Sequence, residues 1–229
     1  MNVMQLCRES WYFFRQNLTA IFTVLIPSIA ISETFNAFVD FDSTSPLQSL
    51  LIWGPLLLLP IFQAALIMML KSQVTGEGLS VSDCYKLGAA AYLRLAAIYL
   101  CAGLSIMFGF ILLVIPGLII MSRLCIAEYY CLFEGKTAFE SLQASWEKTK
   151  QYQWPILGGY LLVMIVQALP IIAIDQFLEI TELLNPMTRF LSGAFESVLI
   201  SILTVFTFRL YCEFEQKPEA QPQDDSIVS

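Results

Sequence analysis

The sequence contains no histidine. That removes the side chain used most often as a general base, proton shuttle or metal ligand near neutral pH. Charge is also scarce. Asp, Glu, Lys and Arg make up 14% of the 229 residues, against about 25% in an average soluble domain. The charge present is net acidic, 12 basic against 19 acidic residues for a balance of -7. The basic patches that hold nucleic acid are therefore missing. No two of the six cysteines (Cys7, Cys84, Cys101, Cys125, Cys131, Cys212) form a C-x-x-C pair, which excludes a zinc knuckle or a thioredoxin-type redox motif. They read as small apolar residues. No G-x-S-x-G, Walker loop or H-E-x-x-H occurs, and no histidine is there to activate a serine. These absences predict a protein that is not an enzyme and has no metal or cofactor.

Apolar residues are what the chain has in abundance. They make up 57% of it, and the mean hydropathy is +0.69. One soluble core of this length cannot bury so much, whereas lipid demands no such burial. Six stretches approach the roughly 20 apolar residues that a membrane-crossing helix needs: 18–39, 47–70, 95–114, 118–133, 155–174 and 187–211. Residues 95–122 carry no charge, and one long tilted helix is the alternative there. Ile115-Pro116-Gly117 in the middle favours a turn, hence a hairpin of two spans. The expected fold is an all-α polytopic membrane protein with six transmembrane helices.

Lys and Arg set the orientation. With the N-terminus inside, Arg8, Arg15, Lys71, Lys86, Arg94, Lys136, Lys148, Lys150, Arg209 and Lys217 all fall inside. Only Arg189 nears the outer face, where Asp40, Asp42, Asp175, Glu179 and Glu182 lie. A single crossing at Pro116 would put Lys136, Lys148 and Lys150 outside, so the charges favour the hairpin. Both ends are expected in the cytoplasm. The polar start, with Gln5, Arg8, Glu9 and Arg15, does not fit a cleaved leader.

Three segments between spans have amphipathic patterns. Residues 137–150 open with a capping box, Thr137-x-x-Glu140, and place Phe139, Leu142 and Trp146 on one face. Ser80-x-x-Asp83 opens a second. The N-terminal stretch sets Val3, Leu6, Trp11 and Phe14 against Arg8 and Arg15. All three are expected to lie along the cytoplasmic interface. Ser10-Trp11 followed by Arg15-Gln16 matches Ser145-Trp146 followed by Lys150-Gln151 at the same spacing. This admits a threefold parallel repeat of amphipathic helix plus hairpin, over 1–70, 80–134 and 137–212, within one transmembrane domain 1–212. Residues 213–229 read as a disordered acidic cytoplasmic tail.

Of the charges inside spans four stand out as suspects for function: Glu33, Arg123, Glu128 and Glu196. At 1.5 Å rise per residue, Glu33, Arg123 and Glu196 fall in the outer half and Glu128 deeper toward the cytoplasm. A lone membrane arginine costs roughly 2.5–3.5 kcal/mol on insertion scales, so Arg123 is expected to pair with Glu196 or Glu33. Gly193, Ser197 and Ser201 recur every four residues and offer a face for close helix approach. Pro27, Pro55, Pro60 and Pro170 suggest kinks. The charges read either as an ion pair that fixes packing or as the lining of a substrate or proton pathway.

The run Ile115-Pro-Gly-Leu-Ile-Ile-Met-Ser-Arg123, then Glu134-Gly-Lys136, Glu140-Ser-Leu and Ser145-Trp-Glu-Lys-Thr149 resembles the YciC-like bacterial inner-membrane proteins. It is similar as well to the membrane domain attached to some glycerophosphodiester phosphodiesterases. The N-terminal Ser10-Trp-Tyr-Phe-Phe-Arg15-Gln-Asn17 resembles the start of the YciC-like chains. The resemblance implies a six-span protein of the bacterial inner (plasma) membrane, from an uncharacterised family, and supplies no activity. The leading expectation is a non-enzymatic envelope scaffold or lipid-interacting protein, with membrane lipids as partners and no nucleic acid. The alternative is a small transporter or channel with Glu33, Arg123 and Glu196 lining a polar cavity.

Overall fold

The computed structural model describes residues 3–37, 46–181, 183 and 185–216, excluding the side chains of residues 36, 37, 46–52 and 186. Asp40, Asp42, Glu182 and the tail from Lys217 lie outside the described residues. Among those described there are ten α-helices and no strand: α1 (Val3–Gln16), α2 (Leu18–Ala37), α3 (Pro46–Thr75), α4 (Val81–Ala90), α5 (Tyr92–Leu112), α6 (Val114–Leu124), α7 (Ala127–Glu134), α8 (Ala138–Thr149), α9 (Gln153–Ile180) and α10 (Pro186–Gln216). A 3-10 turn, Lys150–Tyr152, joins α8 to α9. Six helices are long and apolar enough to cross a membrane if α6 and α7 count as one. Large apolar side chains such as Leu93, Leu100, Ile111, Leu112 and Ile180 point outward. That is the inverse of a soluble surface, and lipid tolerates it.

Two of the short helices between spans, α4 and α8, cap themselves. In α8 the Thr137 hydroxyl accepts the Glu140 N–H, and the Glu140 carboxylate accepts the Thr137 N–H at 2.9 Å. In α4 the Ser80 hydroxyl accepts the Asp83 N–H at 3.2 Å. Gly135, with φ 67, closes α7 in the left-handed conformation that glycine takes without strain. The chain then turns at once and α8 packs back on α7.

One end of the bundle gathers the short helices and the basic residues. There the Lys71 ammonium lies 4.8 Å over the Phe133 ring, the Tyr211 hydroxyl donates to Glu134 at 3.1 Å, and Arg94 donates to the Gly135 carbonyl at 2.9 Å. Arg209 of α10 meets Glu9 of α1 at 3.0 Å. The α5–α6 turn belongs to the other end. An aromatic cluster of Tyr129, Phe133, Phe208 and Tyr211 ties α7 to α10, with ring centroids 5.4–6.2 Å apart in the pairs they form.

One expectation needs correction. Pro116-Gly117 does not form the hairpin turn. The turn is at Leu113, which is extended, and Pro116 falls in the first turn of α6, where a missing N–H costs nothing. Gly117 serves a different purpose: a Cβ at Gly109 would come within 2.7 Å of Gly117 Cα, so the two glycines let α5 and α6 touch. α8 packs through its small hydroxyl residues. Its inward face is Ser141, Ser145 and Thr149, all fully buried, while Phe139 is exposed. Small hydroxyl residues allow the closer backbone approach, and that contact outweighs burial of a phenyl ring which lipid accepts anyway. α10 runs on to Gln216. Pro27, Pro55, Pro60 and Pro170 all sit inside uninterrupted helices.

Candidate functional site

The span holding Arg123 and Glu128 is broken. α6 stops at Leu124 and α7 starts at Ala127. The cause is visible one residue earlier. The Arg123 carbonyl accepts the Ser145 hydroxyl at 2.7 Å and the Thr149 hydroxyl at 3.1 Å, both from α8. Those donors satisfy an oxygen that would otherwise accept an amide of the next turn. Irregular backbone at membrane depth survives only where protein covers it, and the buried face of α8 provides the cover.

The Arg123 side chain follows its backbone. Only 7% of the residue is exposed. Its guanidinium stacks on the Trp146 indole, 3.7 Å from the ring centroid, and donates to the Trp146 carbonyl. Among the described residues no ion pair joins it to Glu196 or Glu33. Folding α8 back along α7 and α6 brings an aromatic face and a carbonyl to Arg123, and a planar guanidinium uses both at once. Arg123 thus belongs with α8, not with the outer acids. Its Nε is buried and has no hydrogen-bond partner.

Glu128 is the second residue of α7, where the positive end of the helix dipole favours a carboxylate. The Tyr99 hydroxyl of α5 donates to it. The Gln63 amide of α3 stands beside the same carboxyl and donates to the Thr204 hydroxyl of α10 at 2.8 Å. The Tyr129 hydroxyl reaches the Thr204 carbonyl at 3.0 Å and the Thr207 hydroxyl at 2.7 Å. Four spans therefore meet at Glu128 through polar groups.

Above this polar floor lies a cavity of about 360 Å³. α3 contributes Leu59 and Gln63; α5 contributes Ile98, Tyr99, Ala102, Gly103 and Ile106; α6 contributes Met121 and Leu124. Cys125, from the break itself, lines it together with Glu128, Tyr160 of α9, and Ile200, Leu203, Thr204 and Thr207 of α10. The walls are mainly apolar, and none of the lining residues is basic. Gly103 is exposed, and a Cβ there would meet nothing within 4 Å. Its helix, α5, is the least buried of the six spans, so the cavity opens toward lipid.

A second cavity of about 170 Å³ lies on the other side of Gln63 and Thr204. Ser28 and Ser32 of α2 and Ser197 and Ser201 of α10 supply its hydroxyls. The hydroxyls of Ser28, Ser197 and Ser201 donate to carbonyls of their own helices. Farther along α2 and α10, the Glu33 carboxylate occupies the space that a Cβ on Gly193 would need. Glu196 is exposed on α10. Of the four charges singled out in the sequence, Glu128 alone lines either cavity. Tyr99 and Thr204 were missed, and so was Gln63. Gln63 did carry a signal: it is the single strongly polar side chain between residues 54 and 70.

A UPF0259 membrane protein of the bacterium Photorhabdus laumondii is 26% identical to this chain over 152 residues, 66% of this chain and 56% of that relative. The chain spans about half the length of the curated relative it matches. The match accords with the YciC-like resemblance read from residues 115–150, because the YciC name fits UPF0259. No family model matches the chain, and no solved structure does.

Proposed function

We propose that this protein is a non-enzymatic, lipid-binding protein of the bacterial inner membrane that takes a membrane amphiphile sideways into the Glu128 cavity. The observation that carries the reading is an apolar pocket facing lipid at Gly103 and floored by a carboxylate bonded to Tyr99. Small-molecule sites typically combine apolar walls with a few placed polar groups. The one thiol in the lining, Cys125, donates to the Ser122 carbonyl at 3.0 Å instead of to Glu128, so the single carboxylate supports binding in preference to catalysis. Both termini lie in the cytoplasm on this reading, because the basic residues collect at the α1–α4–α8 end. An envelope-scaffold role is compatible with it, the ligand then stabilising the bundle. Transport draws less support. Arg123, Glu33 and Glu196 line neither cavity, and the Gln63–Thr204 bond separates the two.

Gly103→Phe tests the reading. The added ring enters open space on a helix where glycine is the poorer former, so the variant is expected to fold. Native mass spectrometry of the wild type should show one amphiphile-sized adduct, and Gly103→Phe should lose it. A wild type without an adduct, or a variant that keeps it, contradicts the proposal.

A further inference from the structure

The structure assigns a chemical class to the polar end of the cavity's ligand: an uncharged or positively charged hydrogen-bond donor, a lipid alcohol or amine, and not a phosphate. This inference rests on the lipid-binding reading and narrows it.

Donors and acceptors at the cavity floor decide the class. A carboxylate offers about four acceptor sites and no donor. Tyr99 and Gln63 occupy two of those on Glu128 at most. Gln63 already gives one of its N–H bonds to Thr204. The Thr207 hydroxyl bonds with Tyr129 and with carbonyls of its own helix. The Tyr160 and Thr204 hydroxyls of the lining can each still donate a bond, but both are uncharged, and the Glu128 carboxylate has accepting capacity to spare. A ligand hydroxyl or ammonium meets that demand. A phosphate brings only acceptors and negative charge, and no lysine or arginine lines the cavity to receive it. Moving a phosphate out of water with no cation to pair with is costly, and placing it beside Glu128 adds repulsion in a low-dielectric site.

The basic side chains nearby are committed elsewhere. Arg123 stacks on Trp146 outside the cavity lining, Arg94 bonds Gly135, and Arg209 pairs with Glu9. The size of the cavity limits the other end of the ligand. At about 360 Å³ it sits near the lower bound of the roughly 300–1,000 Å³ typical of small-molecule sites. It has room for one aliphatic or prenyl chain, with Gly103 leaving a way in from the lipid.

The test holds the chain constant and changes the head. The full-length protein in lipid nanodiscs is titrated with dodecanol, dodecylamine and dodecyl phosphate, and binding is read from thermal stabilisation and from adducts in native mass spectra. Dodecanol and dodecylamine should each bind at least about tenfold tighter than dodecyl phosphate, the scale of one charge-assisted hydrogen bond. Glu128→Gln should weaken the amine by about tenfold, leave the alcohol nearly unchanged and shrink the penalty on the phosphate. Tyr99→Phe should tighten the amine relative to the alcohol by removing the competing donor. Dodecyl phosphate binding as well as dodecanol, or a Glu128→Gln variant with unchanged ranking, overturns the head-group assignment. If all three probes bind equally and Gly103→Phe abolishes all three, the lipid-binding reading stands and this inference alone fails. If no probe binds the wild type, both fail.

Discussion

α1 and α8 carry the same Ser-Trp pair and put it to different use. In both helices the serine is buried and the tryptophan partly exposed. The Ser10 hydroxyl donates to Leu6 of its own helix at 2.7 Å, whereas the Ser145 hydroxyl donates across to Arg123 of α6 at 2.7 Å. Neighbours one turn away account for the difference. Ser10 sits between Leu6 and Phe14, whose bulk keeps the facing helix at a distance. Ser145 sits between Ser141 and Thr149, so α8 lies close enough for a hydroxyl to reach a foreign carbonyl. Trp11 stacks on Phe14 within α1, and Trp146 stacks on Arg123 of another helix. α1 holds the bundle from outside by packing and one ion pair. α8 enters the bonding of a span and interrupts it.

Substitutions sharpen this contrast. The largest effect is expected for Ser145→Ala with Thr149→Val, which leaves the buried Arg123 carbonyl without side-chain donors. Each lost bond costs about 1–3 kcal/mol, against well under about 1 kcal/mol for Ser10→Ala, whose bond is local. Thermal unfolding in detergent measures both, and equal losses would break the comparison. An intermediate effect, about 1 kcal/mol, is expected for Arg123→Lys, which keeps the charge but loses the planar stack. Combining Arg123→Leu with Glu196→Leu should give additive losses, to within about 0.5 kcal/mol, because the two sites share no contact. Rescue in the double variant would restore the ion pair expected from sequence.

The smallest effect belongs to α1. The Gln5 amide, followed by Arg209, holds the Glu9 carboxyl below its ordinary value. A lowered carboxylate adds stability that is present above the unfolded pKa and is lost as pH falls through the folded one. The pair is largely open to solvent, so the effect stays under about 1 kcal/mol. Glu9→Gln should flatten the stability profile between about pH 5 and pH 3, lowering stability by under about 1 kcal/mol at neutral pH and changing little in acid below that window.

The six spans and the caps on α4 and α8 were legible because length, hydropathy and capping chemistry are local. Glu128 was legible as a charge in a span. Its partners were not, since Gln63, Tyr99 and Thr204 come from three other helices and meet only through packing. Arg123 misled for a related reason. Counting helical rise along the chain places it in the outer half, but its partner is set by where α8 folds back, and that depends on Ser141, Ser145 and Thr149 fitting against α6 and α7. The hydroxyl stripe was in the sequence. The stripe singled out there was Gly193, Ser197 and Ser201, and its neighbour proved to be the Glu33 side of α2.

The central claim is that α8 holds open the break in the α6–α7 span and thereby places Glu128 on the floor of a ligand cavity. The most direct test is adduct retention in native mass spectra of Ser145→Ala/Thr149→Val, a variant that changes no residue lining the cavity, beside Ser10→Ala. The account expects the α8 variant to lose the bound amphiphile and the α1 variant to keep it. An α8 variant that folds and keeps its adduct at the wild-type level would contradict the account.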